Sequence, residues 1–291
     1  MWYSHEHLKL LPLIAMILWG LSTGCGDGKP VKKDVGLRAG GSSQPQNPTI
    51  SKSPGDPVPK PGKSLYFLLD GFATCPNFSD TEGEIKGTNM TRILDDLKAD
   101  LKAKSKPDPI FLLSCFTQAT GSVYFTTAEF PKFTQYVGVN DFTSKIGQII
   151  AKEANASVHL VGYSYGGWLA MKLAKELELA PGTSLMTLAT VDPISATKCQ
   201  PSDFLGSVSG QSAEGCKQSP ADFGADGLAT IKSKAKLWSN HYQDEKNYLH
   251  SGPVDGAENS DINLAADALL AHVTIVADPT VRKNIVDSLV R

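Results

Sequence analysis

The chain has 291 residues, enough for one large domain or two small ones. Hydrophobic residues make up 41% and charged residues 20%, a globular composition that excludes a mainly disordered or fibrous chain. The 28 Lys and Arg are balanced by 30 Asp and Glu, so there is no basic excess of the kind a nucleic-acid partner requires.

The first feature is an apolar run from Leu10 to Leu21, interrupted by Pro12 and Gly20. A membrane-crossing helix needs about 20 apolar residues, so this run is too short to span. It follows a polar start containing His5, His7 and Lys9 and precedes Ser22-Thr23-Gly24-Cys25. Charged start, apolar middle and small residues at the cut are the layout of a secretory signal. Leu21 to Cys25 also resembles a bacterial lipobox, with Ser22 where Leu is usual and Leu21 one place early. That resemblance implies a signal peptide over 1–24, export to the cell envelope, and lipid anchoring to the membrane at Cys25. An ordinary signal peptide with a chance Cys is the alternative. Residues 25–62 are rich in Gly, Pro, Ser, Lys and Asn, with Pro45, Pro48, Pro54, Pro57, Pro59 and Pro61 along them. They bury too little to offset ordering and are expected to be a disordered tether. The folded domain is expected over 63–291.

Within that domain, Leu65–Leu69 is a short apolar run ending at Asp70-Gly71, the pattern of a strand buried on both faces. A helix is predicted from Thr88 to Lys104, with Met90, Ile93, Leu94, Leu97 and Leu101 at helical spacing and Thr88 or Asn89 as cap. Pro107 and Pro109 stop it, and Ile110–Leu113 is a second strand. Residues 117–140 are aromatic-rich and are expected to be irregular. A helix follows over Asp141–Ala154, then a strand at Val158–Val161, a helix over Gly166–Leu179 and a strand over Leu185–Val191. Residues 194–226 are expected to be loop. Ala235–Tyr242 is a fifth strand, Asp261–Leu264 a short sixth, and Pro279–Val290 a closing helix. Such alternation predicts a parallel sheet with helices on both faces. Functional groups in these sheets gather at the carboxyl ends of the strands.

Four cysteines remain in the domain, Cys75, Cys115, Cys199 and Cys216, which suit two disulfides in an exported chain and allow three pairings. Cys199 and Cys216 are close in sequence, and Cys75 and Cys115 each follow a predicted strand. These placements favour Cys199–Cys216 and Cys75–Cys115, with unpaired buried cysteines as the alternative.

The most specific motif is Gly162-Tyr163-Ser164-Tyr165-Gly166, set between the strand at Val158–Val161 and the helix that follows. A serine on a sharp strand-to-helix turn stands above the sheet edge, at a helix N-terminus whose free N–H groups favour an oxyanion. Here the chain resembles the α/β-hydrolase superfamily, over nearly all of the predicted domain. The resemblance implies an α/β-hydrolase fold: a mostly parallel central sheet, helices on both faces and a reduced cap. It also implies a Ser, acid and His acting together, with Ser164 as nucleophile.

A seryl hydroxyl needs a base, and the base needs a carboxylate to fix its tautomer. The family places the His in the loop between the last strand and the closing helix, which points to His272; His241 and His250 remain open, and His159 is expected to be structural. For the acid, Asp192 in Thr190-Val191-Asp192-Pro193 resembles the Leu-Asp-Pro of pancreatic-type lipases, whereas the commoner position falls on Asp244 or Asp255. The oxyanion donors are expected to be the backbone N–H of Tyr165 and of Phe72, since Asp70-Gly71-Phe72 resembles the His-Gly-Phe of lipases. Asp70 in place of that His leaves the support of the loop open. Residues 194–226 are a candidate cap, pinned by Cys199–Cys216. Phe116, Tyr124, Phe125, Phe130, Phe133 and Tyr136 are candidates for an acyl pocket, though core packing accounts for at least half. No His or Cys spacing suggests a metal, and no cofactor is expected.

These readings imply a serine hydrolase acting on a small-molecule or lipid carboxylic ester. Acyltransferase or thioesterase activity, a peptidase, and a catalytically inactive surface binding lipoprotein of the same fold are the alternatives.

Overall fold

The structure is a computed structural model that describes residues 62–72, 74–75, 88–106, 109–116, 122–127, 130–200, 214–244, 249–264 and 268–291. At 122, 124, 127, 130–136 and 268–270 only the backbone is described. The expected signal peptide, Cys25 and all but the last residue of the tether lie outside these residues.

One sheet organises the described chain. Its strands are β1 (Ser64–Leu69), β2 (Ile110–Phe116), β3 (Ser122–Thr127), β4 (Phe130–Gly138), β5 (Ser157–Tyr163), β6 (Ser184–Val191), β7 (Ala235–Tyr242) and β8 (Glu258–Asp261). Their order is β4-β3-β2-β1-β5-β6-β7-β8. Strands β2, β1, β5, β6, β7 and β8 run parallel, while β3 and β4 add an antiparallel pair beside β2. The helices are α1 (Asn89–Ala103), α2 (Val139–Ala151), α3 (Tyr165–Glu176), α4 (Gly224–Lys234), α5 (Ala268–Ile275) and α6 (Pro279–Leu289).

The central strands are apolar at consecutive positions because both faces are covered. Leu65, Phe67 and Leu69 of β1 pack with Phe142 and Ile146 of α2, Leu169 of α3 and Ile231 of α4. Tyr66 and Leu68 point the other way, onto Met90, Ile93 and Leu97 of α1 and Val281, Ile285 and Leu289 of α6. A register shift between β5 and β6 pairs Val158 with Leu185 but His159 with Thr187. The extra residue, Met186, puts Leu185 and Leu188 on the same face, as a β-bulge does. His159 then lies on the α6 side. Its Nδ1 is 3.2 Å from the Thr187 hydroxyl, which donates to the Ser288 carbonyl, and its ring stacks on Tyr66 at 4.5 Å.

The fold matches the α/β expectation, with four differences. Residues 122–138, expected to be irregular, carry β3 and β4. Their β-branched and aromatic residues suit strands, and Pro131 is tolerated because β4 is an edge. Helix α4 was not predicted, because Gly224-Ala225-Asp226-Gly227 is poor helix material and only Gly227 and Ile231 are buried. The last strand is Glu258–Asp261 rather than Asp261–Leu264; as an exposed edge it carries no apolar signal. His272 belongs to helix α5 and not to a loop.

The chain goes from β1 to β2 on one side, then crosses back to place β5 on the other side of β1. That reversal opens a crevice at the carboxyl ends of β1 and β5, where ligand sites of open α/β sheets form.

Candidate active site

Ser164 sits at this crevice, in the turn between β5 and α3. Its backbone has φ 56° and ψ −125°, a conformation that side-chain-bearing residues rarely adopt. The turn is held on all sides: Ser164 N–H donates to the Val191 carbonyl at 3.0 Å, and its own carbonyl accepts from Gly167 and Ile194 N–H at 2.9 and 3.1 Å. Gly166 is required because a Cβ there would lie 2.0 Å from the Leu69 carbonyl oxygen. Close contact between α3 and β1 therefore forces the serine outward.

Two side chains complete a hydrogen-bonded line. His272 Nε2 lies 2.9 Å from Ser164 Oγ, and His272 Nδ1 lies 2.6 Å from Asp192 Oδ2. A carboxylate only accepts, so Nδ1 carries the proton, leaving Nε2 free to accept from the serine hydroxyl. Asp192 is at the tip of β6 with φ 43° and is fully buried. Its Oδ1 accepts from Ser251 N–H at 2.8 Å and its Oδ2 from Gln243 Nε2 at 2.9 Å. These two donors offset the cost of burying the carboxylate and aim it at the imidazole. Tyr163 secures the histidine from below. Its hydroxyl donates to the His272 carbonyl at 2.7 Å, and its ring stacks on the imidazole at 5.1 Å. Burial first, then the charges of Asp70 and Asp192, push the Tyr163 hydroxyl well above its ordinary pKa, so it stays a donor.

The segment after β1 faces the serine from the opposite side. A Cβ on Gly71 would lie 2.8 Å from Ser164 Cβ and 3.3 Å from its Oγ. Phe72 packs edge-on against the Tyr165 ring, and Phe116 does the same. The Tyr165 hydroxyl donates to the Cys199 carbonyl. Disulfides join Cys75 to Cys115 and Cys199 to Cys216, the favoured pairing. One ties the segment after β1 to β2, and the other secures the chain that follows β6.

The structure thus brings Ser164, His272 and Asp192 into one line and places Gly71-Phe72 and Tyr165 around it. The other candidates lie elsewhere. His241 is buried in β7, and neither ring nitrogen has a hydrogen-bond partner among the described residues. His250 Nδ1 bonds to the Ser251 carbonyl at 2.7 Å. Asp244 and Asp255 are exposed. Phe125 packs on Phe142, and Phe116 is fully buried in the same core, so both are core residues. The side chains of Tyr124, Phe130, Phe133 and Tyr136 lie outside the described residues, as do positions 201–213 of the candidate cap. Tyr163, Gln243 and Ser251 were not singled out from the sequence. Tyr163 was legible as a motif position, whereas the two donors to Asp192 come from chain far away in sequence and carry no local signal.

Chemically, such a line moves a proton from a serine hydroxyl to an imidazole whose cationic form is stabilised by a carboxylate. No protein-family model and no curated protein matches the sequence. Among solved structures, the chain is similar to a protein of Agrobacterium vitis S4 described as a putative hydrolase. The two are 14% identical over 78% of this chain and 87% of that one, with a TM-score of 0.39. Among the described residues no helix is long and apolar enough to cross a membrane.

Proposed function

We propose that the protein is a serine hydrolase of the α/β-hydrolase type that cleaves carboxylic esters through an acyl-enzyme. The observation that supports this most directly is the line Asp192–His272–Ser164, with spacings of 2.6 and 2.9 Å, at a strained strand-to-helix turn. Ser164 Oγ attacks the acyl carbonyl while its proton passes to His272 Nε2. The resulting oxyanion is held by the N–H groups of Tyr165 and Phe72. His272 then protonates the departing alkoxide, the carbonyl re-forms, and the acyl group stays on Ser164. Water repeats the sequence and releases the acid. In this reading the chain is exported, and the two disulfides suit an oxidising compartment. Cys25 carries the lipid anchor, and 25–62 are the tether that carries the domain away from the membrane.

The test is a fluorophosphonate probe on the purified protein with both disulfides intact, followed by mass mapping. Labelling is expected at Ser164, lost in Ser164→Ala and His272→Ala. A folded wild-type protein that takes no label would overturn the hydrolase reading and favour a non-catalytic binding protein.

A further inference from the structure

Asp70 is the least expected residue near the site. It ends β1, is fully buried, and has no cationic partner among the described residues. Its carboxylate is nonetheless well served. Oδ1 accepts from Gly71 N–H at 2.8 Å, and Oδ2 from Met90 N–H at 3.2 Å. The Met90 N–H belongs to the first turn of α1, whose positive dipole end favours an anion. The carboxylate therefore joins the end of β1 to the first turn of α1.

What this fixation achieves follows from the next peptide. The Gly71 carbonyl accepts from Phe116 N–H at 3.2 Å and from the Thr74 hydroxyl at 2.7 Å, so it points towards β2. The Gly71–Phe72 peptide is trans, so its N–H points the opposite way. Because β1 lies between β2 and β5, that way is the β5 side, where Ser164 stands. Gly71 itself reaches to contact distance of Ser164. Holding Gly71 N–H on one side and its carbonyl on the other sets the direction of the Phe72 N–H.

We propose that Asp70 is a positioning residue for the oxyanion hole, its carboxylate locking Gly71 to the first turn of α1 so that the Phe72 N–H faces the reacting carbonyl. This rests on the ester-hydrolase reading. A carboxylate suits the task because both partners are backbone donors, one on each oxygen, and it has only acceptor sites to offer. An amide of the same shape would set its NH2 against one of them.

The test compares wild type with Asp70→Asn, using p-nitrophenyl butyrate hydrolysis and inhibition by phenylboronic acid, which binds the serine as a tetrahedral adduct. A misdirected donor is expected to lower kcat by about 10- to 100-fold with KM within twofold, and to weaken boronate binding by a similar factor. A general structural defect would not follow the tetrahedral adduct in this way. If folded Asp70→Asn keeps kcat and boronate affinity within twofold of wild type, the proposal fails. It also fails if kcat and KM shift together while boronate affinity holds. Should Asp70→Asn not fold, Asp70→Glu decides, because it keeps the charge but its extra methylene moves the carboxylate off the Gly71 N–H. A fewfold loss of kcat at constant KM supports the proposal, and an unchanged kcat overturns it. Fluorophosphonate labelling of the wild type separates the two levels: no label at Ser164 sinks the hydrolase reading and this proposal with it. A label together with an indifferent Asp70→Asn sinks the positioning role alone.

Discussion

Replacing Asp192 by Asn changes one atom in the middle of the site. Two oxygens of Asp192 serve three donors: Ser251 N–H on Oδ1, and Gln243 Nε2 and His272 Nδ1 on Oδ2. The amide has one oxygen and one NH2, so one orientation sets NH2 against Ser251 N–H. The other sets it against Gln243 and His272, which drives the imidazole into the tautomer with its proton on Nε2, unable to accept from Ser164. In a fully buried site either choice leaves a donor facing a donor and costs about 1–3 kcal/mol of stability. The larger effect is on the reaction, because the charge that stabilises the imidazolium is gone. A loss of about 10³- to 10⁴-fold in kcat is expected, or about 4 to 5.5 kcal/mol of barrier. Initial rates on p-nitrophenyl butyrate, with circular dichroism to confirm folding, measure it. Asp244→Asn, at an exposed position, should leave the rate unchanged. A folded Asp192→Asn protein within tenfold of wild type would refute the assignment of the acid.

Other expectations follow from the same geometry. Ser164→Gly should be more stable than Ser164→Ala by roughly 1 kcal/mol in urea unfolding, because only glycine is relaxed at φ 56° and ψ −125°; equal stabilities would show that the turn stores no strain. Tyr163→Phe keeps the ring stack but removes the hydrogen bond to the His272 carbonyl, so Ser164 labelling should slow about fivefold; an unchanged rate would remove Tyr163 from the support of the histidine. Burial lowers the His159 pKa to about 4, so the folded protein holds it neutral at pH values where the unfolded chain protonates it. The stability this gives is present above the unfolded value of 6.5 and is lost as pH falls through 4, a contribution of roughly 3 kcal/mol at most. The stability of His159→Phe should therefore fall less than that of wild type between pH 6.5 and 4, and parallel pH profiles in thermal melts would contradict this.

Much of the architecture was legible because buried parallel strands announce themselves. Leu65–Leu69 is a continuous apolar run, Val158–Val161 and Leu185–Val191 are apolar apart from His159, Thr187 and Thr190, and each became a central strand. Elements at the rim gave weaker signals. Strand β8 is Glu-Asn-Ser-Asp, held by pairing with β7 and not by burial, and α4 buries only two residues. The turn bearing Ser164 was readable since its glycines and serine are close together and their spacing has a steric cause. Asp192 was readable at the tip of β6, though Asp244 and Asp255 fitted the sequence as well, and only the fold separates a buried carboxylate from two exposed ones. Gln243 and Ser251 were invisible, because a donor aimed at a distant carboxylate leaves no periodic pattern.

Ser164 and His272 are 108 positions apart, and Asp192 and His272 are 80 apart. Ser164 and Asp192 share one β5-α3-β6 unit, and His272 comes from far outside it. During synthesis the turn bearing Ser164 emerges more than 100 residues before His272, which arrives only with α5. On the ester-hydrolase reading, the chain is chemically silent until α5 has been made and docked. On that reading, a cut between β8 and α5 that released the following chain would remove His272, and with it the cover that α6 gives one face of the sheet.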